Sequence, residues 1–425
     1  MPMDDRALLT DLFHTAVAAA DPMKCLKQSL PARPKGRTVV VAIGKGAAQM
    51  AAAFETLWDG PVEGVVVTRY GYAVPCRDLP VIEASHPVPD AAGMEATEAV
   101  FRAVEGLTED DLVVALVCGG GSALLPAPPE GFALEDEQAL NKALLSSGAP
   151  IGVMNAIRKH FSRVKGGRLA LAAHPARVLS LVVSDVPGDD PAQVASGPTV
   201  PDGVTRVDAL SMIRARNIKI PEQVMAHISN DASTAPLPND PRFARNEVHV
   251  VASARLSLEA AAARAEALGL RSVILSDSIE GEARDIGLMH AALAREIALR
   301  NRPFTAPVLV LSGGETSVTL GDAPGRGGRN TAFLMGLAGA IEGVNATILG
   351  ADTDGIDGSE DNAGAFADGS SFARLRALGL DPGDFTRAQD PWGAFDALGD
   401  LFVPGPTGTN VNDFRAMLVR PQASP

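Results

Sequence analysis

The sequence predicts an α/β protein made of two Rossmann-like α/β domains with an inter-domain active-site cleft. Three observations carry that reading: short β-branched apolar runs recur without polar alternation, helical segments separate them, and glycine-rich turns close several of them. Strands without alternation are buried on both faces, as in a parallel sheet covered by helices. Such sheets take their ligands at the carboxyl ends of the strands. A chain of 425 residues has room for two domains, placed here at 1–240 and 241–425.

Residues 5–20 set Leu8, Leu9, Leu12, Phe13, Ala16 and Val17 at helical spacing before Asp21-Pro22 stops the helix. From Thr38 the pattern is strand TVVVAIG, helix GAAQMAAAFETLW and strand GVVVTR. A helix at 94–105 and the strand DLVVALV follow, the strand running into Cys118-Gly119-Gly120-Gly121-Ser122. Helices at 135–147 and 152–163 then lead to the strand VLSLVVSD. The Pro-rich NDASTAPLPNDPRFARN reads as an interdomain linker near Asp240. Beyond it the alternation restarts with VHVVAS, SLEAAAARAEAL, RSVILSD, EARDIGLMHAALAREIALR, PVLVLSGG, the loop APGRGGRN, a helix from Thr331 and ATILGADTDG. LVCGGGSALL and LVLSGGETSV resemble each other, which suggests two related domains whose glycine turns face one cleft.

Composition narrows the chemistry. A net charge of −14 opposes nucleic acid as a partner, since phosphate backbones need a basic field. No apolar run approaches the length of a membrane span, and Asp4 and Asp5 stand where a secretory signal would carry positive charge. The 3 cysteines are widely spaced and form no metal or redox pair, so a cytoplasmic protein is expected. The expected partner is a small charged molecule.

The motifs agree with an anionic ligand. Gly44, Lys45 and Gly46 follow a strand and open a helix, so backbone N–H groups and one ammonium can meet an anion there. The turn matches neither a Walker A loop nor a GxGxxG fingerprint, and a plain tight turn is the alternative. Gly119, Gly120 and Gly121 before Ser122 can form a nest of N–H donors. GGGSA is not GxSxG, which argues against Ser122 as a nucleophile, and Cys118 is not expected to be one either. Asp185 and Asp189 follow a buried strand in a long loop, where they can hold Mg²⁺ or accept a hydroxyl proton. Glu315 is a second strand-end carboxylate, and Asp354 lies in a DTDGIDG loop that contacts substrate or metal but fails the EF-hand count. Arg326 and Arg329 form a pair of planar forks on a Gly loop suited to phosphate. His86 and Arg69 are candidate substrate contacts. This inventory fits phosphoryl transfer, and it also fits a reductase acting on a carboxylate.

At AIGKGAAQMA, SHPVPD, CGGGSALL, LNKALLSSGAPIGVMNAIRKHFSRVKGGRLA, LVVSDVPGDDPAQVASGPTVPD, LSGGETSVTL, GRGGRNTAFLM and ADTDGIDGSEDNAGAFAD the chain resembles the type II, MOFRL-containing glycerate 2-kinases. These stretches run in order from about residue 40 to 370, and the tail PGPTGTNVND is similar too. The resemblance implies a DUF4147-like domain followed by a MOFRL-like one, and ATP- and Mg²⁺-dependent phosphorylation of D-glycerate at the 2-hydroxyl. It leaves room for a homodimer. Members often carry the name hydroxypyruvate reductase, so an NAD(P)H-dependent reductase is the alternative, with Arg69 on a 2′-phosphate. The resemblance further implies that Lys45 and, of the two loop arginines, Arg326 are the catalytic cations. On that reading Asp189 or Asp185 gives weak base help, and Gly44, Gly46, Gly119, Gly120, Gly121, Ser122 and Glu315 serve ATP. Arg326, Asn410 and Thr407, with His86 and Arg69, meet glycerate, and Asp185, Asp189 and Asp354 are the metal candidates.

Overall fold

The computed structural model describes residues 4–321 and 325–422. The chain divides into two compact units. One runs Pro22–Val251, and the other joins the N-terminal segment through Asp21 to the chain from Ala252 onward. The division therefore falls after Val251 rather than at residue 240, and the N-terminal helix belongs with the later part of the chain. The reason is its apolar face: Leu9, Leu12, Phe13 and Ala16 of helix Asp5–Ala19 are buried in one core with Leu258, Ala261, Leu309 and Leu311.

In the Pro22–Val251 unit, strands β1 (Thr38–Ile43), β2 (Glu63–Arg69), β3 (Val81–Ala84), β4 (Leu112–Val117), β5 (Arg177–Val183) and β6 (Glu247–Ala252) form a sheet ordered β3-β2-β1-β4-β5-β6. All pairings among β1 to β5 are parallel. β1 and β4 are buried along their whole length, as unbroken TVVVAI and LVVALV require. The order is that of a doubly wound nucleotide-binding sheet, whose switch point lies between β1 and β4. The stretch expected to be a linker is packed structure of this unit: it forms the turns Asp231–Ser233 and Pro241–Phe243, and Asn246 Oδ1 accepts from Val178 N on β5 at 3.0 Å.

Four helices, Leu134–Ser146, Ile151–Arg158, Arg206–Ala215 and Glu222–Ser229, share a satellite core of Leu144, Ile157, Phe161, Ile213 and Val224. A buried ion pair ties this layer to the chain after the glycine-rich turn. Lys165 Nζ lies 2.8 Å from Glu137 Oε1 and also donates to Leu125 O, while Glu137 Oε2 accepts from Ala127 N at 2.9 Å.

The other unit holds β7 (Ser272–Ser276), β8 (Gly281–Glu282), β9 (Val308–Gly314), β10 (Thr316–Ser317), β11 (Ala346–Asp352), β12 (Gly364–Asp368), β13 (Leu401–Phe402) and β14 (Asp413–Val419). Its main sheet runs β13-β12-β11-β14-β9-β7, with a β10-β8 pair beside it. In the main sheet β7 and β9 pair in parallel, as β8 and β10 do beside it; β14 is antiparallel to both its neighbours, and β12 to both of its own. Alternate residues of β9 serve two cores: Val308 and Val310 pack with Phe333 and Leu337, Leu309 and Leu311 with the N-terminal helix. The α/β class holds in both units, but the likeness of the two glycine strands does not extend to a duplicated topology. β4 stands at a parallel switch point, whereas β9 keeps Gly313 and Gly314 inside the strand against antiparallel β14.

Lys165→Met should cost about 3–5 kcal/mol, because Glu137 would be left charged and buried. Replacing both partners in Lys165→Met/Glu137→Leu should recover most of that loss in urea unfolding.

Candidate active site

The loops that leave β1 and β4 are clasped together at the switch point. Gly44 N–H donates to Val67 O (3.1 Å), Lys45 N–H to Gly119 O (2.9 Å) and Gly46 N–H to Cys118 Sγ (3.2 Å). Gly44 has φ +127°, and a Cβ there would lie 2.4 Å from Cys118 O, so no side chain fits. Thr68 Oγ1 donates to Lys45 O at 3.1 Å. The backbone on both sides of the Lys45 side chain is thus fixed, while the side chain stays partly exposed.

The same clasp gathers the predicted residues. A Cβ on Gly120 (φ +83°) would lie 2.9 Å from Lys45 Cγ and 3.3 Å from His86 Cδ2. One on Gly119 would fall 1.8 Å from Asp185 Oδ2. Lys45, His86 and Asp185 therefore converge on the glycine turn. Burial pushes His86 down to about 4 from its ordinary 6.5, with help from Lys45 and Arg69, so the ring is neutral at pH 7. Arg69 also stacks over Tyr72, 4.8 Å from the ring centroid. Cys118 is fully buried with its thiol pushed up to about 12 by burial, which agrees with its exclusion as a nucleophile.

Ser122 stands in a hydroxyl relay. Its Oγ lies 2.9 Å from Ser196 Oγ, which donates to Asn155 Oδ1 at 2.8 Å, so the Ser122 hydrogen points at Ser196. Asn155 Nδ2 donates to Gln193 O (3.1 Å), and Arg158 Nη1 donates to Asn155 Oδ1 (3.3 Å). With its proton committed there, Ser122 is not arranged as a nucleophile. The loop carrying Asp189 and Ser196 holds non-glycine residues at positive φ: Asp189 (55°), Ala195 (52°) and Ser196 (60°). Such backbone persists only where its surroundings over-determine it, a frequent property of functional loops.

In the other unit the two loop arginines part company. Arg329 is committed: Nε meets Asp413 Oδ1 (2.7 Å), Nη2 meets Asp352 Oδ2 (2.7 Å) and Nη1 meets Glu315 Oε1 (3.1 Å). Burial works against its charge, but the three carboxylates outweigh burial and raise its pKa. Asp413 also accepts from Asn330 Nδ2 (2.8 Å) and from Arg415. Asp357 accepts from Asn330 N (2.9 Å), Thr331 N (2.9 Å) and Thr331 Oγ1 (2.8 Å), closing the N-terminus of helix Arg329–Ala340. Arg326 is exposed, its guanidinium 3.9 Å from the centroid of Trp392.

Four of the expected site residues make their hydrogen bonds within this unit. Glu315 partners Arg329 Nη1 and keeps much of its side chain exposed. Asp354 Oδ1 accepts from Ile356 N (2.8 Å) and its Oδ2 faces Asn410 Nδ2 (3.5 Å), so Asp354 orders its own loop. Thr407 Oγ1 donates to Thr353 O at 2.5 Å, and Asn410 Oδ1 accepts from Asn412 N at 3.1 Å, so both residues hold the loop that carries them. Among the described residues no group of three or more His, Cys, Asp or Glu is arranged around a metal position. Sequence reasoning missed Asp413, Asn155 and Arg415. Asp352 and Asp357 did stand in the DTDGIDG run, but nothing in the sequence paired either with the GRGGRN loop.

Fold and site define an α/β protein of the doubly wound class, with glycine turns gathered at the switch point of its parallel sheet. The family model described as a domain of unknown function, DUF4147, matches residues 8–229, and that of the MOFRL family matches residues 308–413. The chain is 39% identical over 416 residues to the D-glycerate 2-kinase of Thermotoga maritima, covering 97% of this chain and 98% of that protein. It is 49% identical over 417 residues to a putative hydroxypyruvate reductase of Agrobacterium vitis, covering 97% of this chain and 94% of that one. The crystal structure of glycerate kinase from Thermotoga maritima superposes with a TM-score of 0.88 at 37% identity, over 97% of this chain and 98% of that chain. The chain belongs to the MOFRL-containing glycerate kinase family.

Three histidines, His86, His160 and His290, are held at about 4, in each case chiefly by burial. The unfolded chain takes up protons near pH 6.5 and the folded chain only near 4, so stability should be highest above pH 6.5 and fall as the pH drops towards 4. The urea midpoint should be lower at pH 5 than at pH 7, with a smaller drop in His86→Gln.

Proposed function

We propose that this protein is a cytoplasmic kinase that phosphorylates D-glycerate at its 2-hydroxyl, giving 2-phosphoglycerate and ADP from MgATP. The observation that carries the reading is the Lys45–Gly120–His86 cluster at the switch point, where fixed backbone, one ammonium and a neutral imidazole meet at a turn of glycines. Phosphoryl transfer asks for positioning and charge neutralisation, which such a cluster supplies. The near relation to the Thermotoga maritima D-glycerate 2-kinase supports the substrate.

In this mechanism Lys45 neutralises the oxygens of the transferring group, and residues 119–122, the three glycines and Ser122, bind anionic oxygens through their backbone N–H groups. Arg326 is the loop arginine left for the developing equatorial charge, since Arg329 is held by carboxylates. Asp189 gives weak base help to the attacking hydroxyl. His86 and Arg69 meet the glycerate. Mg²⁺ that arrives with a nucleotide needs only one or two protein carboxylates. Asp185, whose carboxylate lies against Gly119, suits that role, with Asp189 as the second donor. When bound, the ion screens phosphate charge.

A reductase reading has little to stand on. A dinucleotide turn would need glycine where Gln49 stands, and the Arg69 guanidinium lies over Tyr72. With D-glycerate and MgATP the purified protein should release ADP, and enolase without a mutase should consume the product directly. NADPH oxidation with hydroxypyruvate and no ADP would overturn the proposal. Lys45→Ala and Arg326→Ala should each lower kcat by about 10²–10³-fold with unchanged urea midpoints. Wild-type turnover in either variant removes that residue from the mechanism.

A further inference from the structure

The unit that carries Arg326 contains a cavity of about 590 Å³, within the usual size range for small-molecule sites, and none of the residues discussed above as catalytic fills it. Its wall is largely apolar, with Leu288, Val318, Leu320, Met335, Phe372 and Phe385 facing the space. Leu320 and Leu288 remain 65% and 43% exposed at its rim, more apolar surface than a solvated edge calls for.

The cavity is preformed. Its 318–320 wall is pinned on one side by Glu282, which accepts from Thr319 Oγ1 at 2.9 Å and from Thr319 N at 3.2 Å. On the other side Gln389 donates to Thr319 O (2.9 Å) and accepts from Gly321 N (2.7 Å). The opposite wall begins at Gly325 and Gly327, which line the cavity and flank Arg326. A ligand seated here would therefore carry an apolar, flat end against the wall that includes Phe372 and Phe385 and an anionic end at the arginine loop. The exposed carboxylate of Asp285, also in the lining, suits a vicinal diol between those two ends.

We propose that this cavity is the nucleoside pocket, taking the adenine and ribose of the phosphoryl donor with the phosphates directed to Arg326. The inference rests on the kinase reading, because of that reaction's two substrates only the nucleotide has an apolar planar end. Glycerate is polar over its whole surface and has nothing to place against two phenyl rings and four aliphatic side chains.

Photolabelling with 2-azido-ADP tests this without requiring turnover. Label should appear on peptides spanning 318–320, 332–340 or 372–389, and excess ADP should suppress it. Ala332→Phe, which fills the cavity, should lower labelling at least about tenfold. Leu320→Asp, at a side chain whose exposure makes folding safe, should do likewise. Label confined to other peptides, or undiminished labelling in both variants, would overturn the pocket. Label in the cavity with no glycerate-dependent ADP release would overturn the kinase reading alone, whereas turnover with label elsewhere would overturn the pocket alone.

Discussion

One hydrogen bond, from Lys45 N–H to the Gly119 carbonyl, organises the Pro22–Val251 unit. With the Gly46 N–H to Cys118 Sγ contact, it joins the turns after β1 and β4 at the point where the strand order reverses. Because the bond is made by backbone, the Lys45 side chain takes no part in it and stays partly exposed. The surrounding constraints serve the same end: Gly44 adopts a conformation closed to other residues, Cys118 gives its sulfur to Gly46 N–H, and Gly120 makes room for the lysine stem. The Lys165–Glu137 pair lies just downstream and ties the chain leaving this turn to the helical layer.

The other unit solves a different problem, that of burying charge. Asp413 faces donors from Arg329, Asn330 and Arg415, and Arg415 is 1% exposed. A guanidinium is suited to such a position because it stays charged and presents several donors in one plane. Committing Arg329 to this network gives the helix start at residues 329–331 a fixed place. That in turn anchors the glycine loop on which Arg326 stands.

Much of this was readable in the chain. Unbroken apolar runs marked β1, β4 and β5 because strands covered on both faces need no polar alternation. The glycines of 44–46 and 119–121 marked the switch-point turns because close backbone approach excludes side chains. Other features were hidden for physical reasons. β14 reads like any buried strand, and nothing local says that it inserts between β9 and β11 in antiparallel sense. The helix at residues 5–19 showed an apolar face without naming its partner, which lies far along the chain. The Arg329 network draws on Glu315, Asp352 and Asp413, whose contact is created by strand pairing alone. Arg326 and Arg329 look equivalent in sequence, and only burial separates them.

The placement of β14 bears on how the protein is made. The Pro22–Val251 unit is continuous in sequence and can fold as soon as it has been synthesised. Helix Asp5–Ala19 is made earlier than any of it, yet its apolar face belongs in a core built around strands that follow residue 300. One of the two central strands of that sheet, β14, is the last of its strands to be translated. The earliest helix must therefore remain unpaired through most of translation, with Leu9, Leu12 and Phe13 open to chaperones or to self-association.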